Sequence, residues 1–518
     1  MTERAHRTAA LWVLLAVVWF GTLGVRPLYK SDESRYGEIS REMVASGDWV
    51  TPRLNGFKYF EKPPLQYWTT ATFFKVLGEQ DWVARLWTAL IGFAGIGLVL
   101  YAGNRLFSPP AGYYAAAVLA GSPLYALMSQ VNTLDMSVSV FLSAAVIAFL
   151  LGHMLLFWVA CALAVLSKGL IGIVLPGAAL FIYLLVRRDW ALIRRVRPVS
   201  GVIVFLLIAA PWFILVSRAN PEFAHFFFIQ EHFQRFTTEM HQRVHPAWYF
   251  LPVLLAGIGP WLLPFLAALR PRDDRELFLV IWALVVLAFF SASGSKLPPY
   301  ILPMFPALAL LIGRRLAGDA RRGLLLAQSA LLVLLSVAGV VLVAAFSGNY
   351  ADYARWVALA FALLAVAAIA ALVCALRSAI TGAVVCLAAG GLIATVLGLD
   401  AHRTLSDRFS VASTVAKLAE RPSASTPVFA VDMYDHTLPW SLKRTVTMVA
   451  HRDELEVAIG WEPQKFIRDL DAFAAVWRAT PQAWAFVPAG AVDTLPAKLG
   501  IPMQVMARGS QYAIVKKP

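Results

Sequence analysis

Cysteine is nearly missing from this 518-residue chain: Cys161, Cys374 and Cys386 all fall inside apolar runs. That excludes a disulfide framework or a cysteine metal knuckle in the polar segments. Charge is scarce as well, with Asp, Glu, Lys and Arg making up only 15% of residues, and acids are outnumbered by bases, 31 to 45. Period-2 alternation is absent from the apolar runs, which excludes a closed transmembrane barrel. There are no internal repeats and no low-complexity linker, so neither a solenoid nor a beads-on-a-string arrangement fits.

What remains is apolar. Hydrophobic residues make up 59% of the chain and its mean hydropathy is +0.67, far above soluble domains. Runs long enough to cross a bilayer recur near 9–27, 82–104, 111–128, 134–151, 154–167, 169–186, 199–217, 248–269, 276–293, 299–313, 323–346, 354–376 and 379–399. The fold class expected is a polytopic α-helical membrane protein of about 13 spans, with the first run an uncleaved anchor. Alternating sides from a cytoplasmic N-terminus gathers sixteen arginines inside, among them Arg187, Arg188, Arg194 and Arg195. The short outer connections keep only Lys168, Lys296 and Arg355. That asymmetry sets the orientation and accounts for most of the net charge of +14 without a nucleic-acid partner.

Three segments interrupt the apolar pattern. The first, 28–80, carries seven acidic and seven basic residues, with short helices expected at 33–46 and 64–77. The second, 218–247, mixes phenylalanines with Glu231, His232 and Arg235. The third, 403–518, alternates β-like runs (427–431, 445–449, 483–487, 503–507, 512–515) with helical patterns near 409–420 and 463–479. It reads as a small external α/β domain following a 1–402 transmembrane domain.

Charge held near a membrane is costly and marks functional candidates. Asp32 and Glu33 follow the first run at once; a cavity-facing carboxylate and an ordinary first-turn acid are both open readings. Asp135 after Thr133 stands in the same position on a later helix. In Tyr59-Phe-Glu-Lys-Pro-Pro64 two prolines stiffen the backbone behind Lys62, suiting it to a phosphate headgroup as a point charge. Arg235 among phenylalanines could add a second cation, or serve as an interfacial arginine. Ser295-Lys-Leu-Pro-Pro-Tyr300 repeats the lysine-before-proline pattern and is expected to turn Lys296 and Tyr300 outward, and Ser167-Lys-Gly169 is a third lysine site.

These motifs, with Asp-Glu-x-x-Tyr (Asp32 to Tyr36), Gly-Asp-Trp (Gly47 to Trp49) and Leu134-Asp135, occur in an order that resembles the GT-C superfamily of polyprenyl-phosphate-sugar glycosyltransferases. The likeness is to the branch holding protein O-mannosyltransferases and the bacterial ArnT family of aminoarabinose transferases, and is closest to the latter. It implies a GT-C-like fold and an inverting transfer from undecaprenyl phosphate to lipid A or another periplasmic acceptor at the bacterial inner membrane, with no cofactor required. It implies Asp32 and Asp135 as catalytic carboxylates, Lys62 and Arg235 on the lipid phosphate, and Glu33, Tyr36, Tyr59, Glu61, Lys296 and Tyr300 around the substrate cavity. Relatives often carry histidine where this chain has Gln230, removing a candidate metal ligand beside Glu61, so the metal is left unknown. Other sugars or a protein acceptor stay open. A transporter would need midplane charges and interrupted helix pairs, which the sequence does not display.

Overall fold

The computed structural model describes residues 2–234, 245–319 and 321–518. Arg235 lies outside them. Each expected apolar run lies largely on helical backbone, but the first helix ends at Phe20, so 21–27 are not helical, and the run at 111–128 breaks at Gly121–Ser122. Seven helical stretches among the described residues are long and apolar enough to cross a membrane by length and composition, and Leu134–Leu150, Met154–Lys168 and Ile171–Arg187 are shorter apolar helices. The run at 248–269 is interrupted at Gly259–Trp261, between helices Phe250–Ile258 and Leu262–Ala268.

By compactness the chain forms two units. The first comprises Met1–Leu23, Phe60–Gln66 and Arg85–Ala401; the second comprises Gly24–Tyr59, Tyr67–Ala84 and His402–Pro518. The boundary expected from composition falls at 402–403 and leaves the first loop with the spans. Compactness instead groups most of that loop with the C-terminal segment.

In the first unit, helices pack through small residues, which let backbones approach closely where lipid offers no hydrophobic drive. A Cβ added to Gly103 would lie 2.5 Å from Gly112 Cα, so helices Asp81–Leu106 and Pro109–Ala120 touch backbone to backbone. Helices Leu134–Leu150 and Met154–Lys168 form an antiparallel pair joined by three residues, with Gly152 at φ +80° making the turn. At 17 and 15 residues they are about 26 and 23 Å long, short of the roughly 30 Å hydrocarbon layer.

The second unit holds helix Asp32–Ser46, a hairpin of β1 (Arg53–Leu54) and β2 (Phe57–Lys58), and most of helix Leu65–Leu77. It also contains a six-stranded sheet: β3 (Val428–Val431), β4 (Thr447–Val449), β5 (Phe466–Ile467), β6 (Trp484–Pro488), β7 (Gln504–Arg508) and β8 (Tyr512–Lys516). The order is β5-β4-β3-β6-β8-β7. β5, β4, β3 and β6 run parallel, and β8 and β7 complete the sheet antiparallel. The helix expected over 463–479 is in fact a short turn, edge strand β5 and helix Leu470–Ala479. A two-residue strand leaves no alternation to read. Phe429, Val431, Phe473, Trp477 and Val515 centre the sheet's core. A separate cluster joins Leu28, Phe74, Val83 and Ala84 to Trp440, and Trp440 Nε1 donates to Asp81 at 2.7 Å.

Candidate active site

In the first unit, stiff backbone presents Lys62. Its Nζ donates to the Glu61 carbonyl at 2.9 Å and to Glu231 Oε2 at 3.2 Å, with the Glu61 carboxylate 3.8 Å away. Glu231 lies in the wide-turn helix His225–Gln234, and Phe223 just before it meets Phe60 edge-to-face at 5.3 Å. The aromatic segment and the Lys62 motif therefore pack on each other. Two residues past the prolines, Gln66 donates to Asn132 at 2.9 Å and accepts from Ser137 at 3.2 Å. That anchors the motif at the start of helix Leu134–Leu150.

Asp135 sits in the first turn of that helix and is buried. Lys168 is the last residue of the helix after it, which stops at Gly169 with φ +88°. Because the pair is antiparallel, the acid at one helix start and the base at the next helix end fall side by side, each favoured by its helix dipole. Lys168 bonds Asp135 directly, and its Nζ stands 4.7 Å over the Tyr300 ring. Asp135 and Tyr300, both designated from sequence, thus come together through a lysine noted there only as a third site. Lys296 corrects its expectation: it is buried and donates to the Ser293 carbonyl at 2.6 Å, so it does not point outward. With that carbonyl close by, the ammonium serves the turn.

In the second unit, Asp32 opens helix Asp32–Ser46 and keeps 36% of its side chain exposed. Arg35 bonds it at 3.0 Å and on the other side bonds Glu454 at 2.6 Å. Glu454 also pairs with His436. Burial opposes ionisation of Glu454, but Arg35 and then His436 outweigh it and bring its pKa down to about 2. Glu33 faces elsewhere: it is buried in a two-pronged pair with Arg26 (2.5 and 3.1 Å) and accepts the Tyr29 N–H. Tyr36 is buried 5.9 Å from the Tyr67 ring, with the Arg35 guanidinium 5.9 Å from its own ring, and Tyr59 is buried near Arg35. Asp32, Tyr36 and Tyr59 are thereby drawn together around Arg35, whereas Glu33 belongs to a separate structural pair.

A cleft of about 450 Å³ in the second unit is lined by Glu79, Asp81, Trp82, Arg421 and Lys443, among others, and by none of the residues designated from sequence. Among the described residues no three His, Cys, Asp or Glu side chains gather to hold a metal ion.

Residues 414–517 match the aminoarabinose transferase C-terminal domain, and 61–215 match the dolichyl-phosphate-mannose-protein mannosyltransferase family. A crystal structure of ArnT from Cupriavidus metallidurans bound to undecaprenyl phosphate superposes with a TM-score of 0.93 at 36% identity, covering 99% of this chain and 98% of that one. The chain belongs to the ArnT family. Undecaprenyl phosphate-alpha-4-amino-4-deoxy-L-arabinose arabinosyl transferases are also similar. That of Edwardsiella ictaluri is 32% identical over 61% of this chain, and that of Aeromonas hydrophila is 34% identical over 56%. These two alignments span 60% and 56% of the relatives' own lengths. The fold class expected from sequence, a polytopic GT-C-like membrane protein with a C-terminal α/β segment, is thus the ArnT fold. The contact of Arg35 with Glu454 and His436 is not legible in the sequence, because the last two lie more than 400 residues along the chain. Only Arg35's place one helical turn from Asp32 could have pointed to it.

Proposed function

We propose that this chain is an inverting glycosyltransferase that moves 4-amino-4-deoxy-L-arabinose from undecaprenyl phosphate to lipid A, at the periplasmic face of a bacterial inner membrane. The observation that carries the reading is the near full-length likeness to an ArnT crystallised with undecaprenyl phosphate. The arginine asymmetry between alternate helix ends supports a cytoplasmic N-terminus.

In this reading Lys62, with Arg235, binds the lipid phosphate. When the bond from anomeric carbon to phosphate oxygen breaks, charge accumulates on that oxygen, and a fixed cation there lowers the barrier more than it lowers the ground state. The acceptor oxygen attacks from the opposite face, so the anomeric configuration inverts in one displacement. A lipid A phosphate arrives as an anion already, and Asp32 then orients the amino sugar and balances its charge. For a hydroxyl acceptor it takes the proton. Asp135 is set by Lys168 and Tyr300 and orients the donor sugar. Glu61 and Glu231 hold Lys62 in place, since a lysine fixed between carboxylates loses fewer rotamers on binding.

The test is mass spectrometry of lipid A from a transferase-null bacterium supplied with undecaprenyl-linked aminoarabinose, with and without this gene. An aminoarabinose adduct that disappears in Lys62→Ala at equal expression supports the reading. The mannosyltransferase match over 61–215 favours a second reading, a protein acceptor. A glycosylated periplasmic protein with unmodified lipid A would establish that instead.

A further inference from the structure

In open α/β sheets, groups that do chemistry collect beyond the C-terminal ends of parallel strands, where connections leave in opposite directions. In the second unit β3 is that point: the chain crosses from β3 to β4 and β5 on one side and returns to β6 on the other. His436 follows the end of β3 by five residues, and Glu454 follows the end of β4 by five. Both are at least three-quarters buried, and they bond each other.

This end of the sheet carries no ligand-binding glycine loop. It holds Arg35, brought in by the first turns of helix Asp32–Ser46. The guanidinium is almost fully buried, Nη2 on Glu454 at 2.6 Å and Nη1 on Asp32 at 3.0 Å. The charged and titratable groups facing it are Asp32, Glu454, Tyr36 and Tyr59, and those facing Glu454 are Arg35 and His436. A planar guanidinium held at both ends has little freedom to swing. The chain His436–Glu454–Arg35–Asp32 therefore fixes where the half-exposed Asp32 carboxylate points.

We propose that Glu454 and His436 are positioning residues for Asp32, acting through Arg35, so that the C-terminal α/β segment sets the geometry of the transfer reaction. The proposal rests on the functional reading above. His436 fixes the Glu454 carboxylate, Glu454 fixes one edge of Arg35 and shares its charge, and Arg35 aims Asp32. Without Glu454 the guanidinium swings wholly onto Asp32, misplacing it and drawing its charge away from the sugar.

The experiment uses the purified full-length protein, aminoarabinosyl undecaprenyl phosphate as donor and a Kdo2-lipid A acceptor. Wild type, Glu454→Gln, Glu454→Asp and His436→Gln are compared by kcat, the KM for each substrate, and Tm. Misplacing a reacting group by about 1 Å costs up to roughly 100-fold, so Glu454→Gln is expected to lose on the order of 10- to 100-fold in kcat. Its donor KM should stay within about 2-fold, because Lys62 is untouched. Glu454→Asp, which keeps the charge, should regain most of the rate, and His436→Gln should fall between them. Wild-type kcat in Glu454→Gln overturns the relay, as does a loss matched in full by a fall in Tm and not rescued by Asp. A wild-type protein inactive with this donor overturns the functional reading and the relay with it, an outcome distinct from an active wild type beside an unaffected variant.

Discussion

Lys62 and Lys168 look alike in the sequence and differ in what surrounds them. Lys62 faces two carboxylates at 3.2 and 3.8 Å and carries only part of the positive charge a phosphate needs, which is why the proposed site calls on a second cation. Lys62→Ala is expected to lower kcat/KM about 100-fold, read in a transfer assay at equal expression, while Lys62→Arg, a wider and differently hydrated cation, regains only part. Unchanged kcat/KM in Lys62→Ala would remove it from the phosphate site. Among the described residues Lys168 pairs with one carboxylate, Asp135, in a direct bond. Lys168→Ala strands a buried acid, a change that costs about 3–5 kcal/mol where no water can reach. Both Tm and activity should therefore fall, and the double change to Lys168→Ala with Asp135→Asn should restore Tm but not activity. Sequence order singled out the lysines; their partners lie 33 and 169 residues away, and no local pattern encodes such distances.

At the scale of elements, helix Asp32–Ser46 is unusual in burying most of its charges. Glu38 is paired twice with Arg41, at 2.8 and 2.6 Å. One turn on, Glu42 accepts the Gly56 N–H at 2.8 Å. Burial first, and then the neighbouring Glu38, push the Glu42 carboxyl up to about 8. A group raised in the folded state contributes its full stability below its unfolded value near 4.5 and loses it as pH climbs through 8. Glu42→Gln, which mimics the protonated acid, should thus raise Tm by several degrees at pH 8.5 and leave it unchanged near pH 4.5. A thermal shift series over that range reads it, and a pH-independent difference would refute the assignment. The helix itself was legible as the first-turn acids Asp32 and Glu33 and an expected span of 33–46, and it ends at Gly47 with φ +72°. Its buried face was not, because charges normally mark the solvated side of a helix and here they mark the packed one. The long apolar helices were the most legible part of the chain, since length and composition alone identify them. Strand β5 was the least, at two residues.

At the scale of the molecule, the second unit is assembled from segments nearly a whole chain apart. Asn55 exchanges hydrogen bonds with the backbone of Val446, and Arg53 and the Lys58 N–H both reach Glu462. Deleting 402–518 therefore removes the partners of Arg35, Asn55 and Arg53 together. In the shortened protein, limited trypsin digestion should cut at Arg35, Arg41 and Arg53 under conditions that spare the full chain, and the transfer assay should read nothing. Protection equal to the full chain would mean that the first loop folds by itself. The span from Arg35 to Glu454 also has a consequence in time. At about 5–20 residues per second, a ribosome reaches Glu454 roughly 20–80 s after it has made Arg35. Throughout that interval Arg35 lacks Glu454 and Arg53 lacks Glu462, and the first loop stays open to chaperones and proteases. A message broken anywhere before the last hundred codons thus yields a protein that cannot close this loop, and degradation can tell an unfinished copy from a finished one by that loop alone.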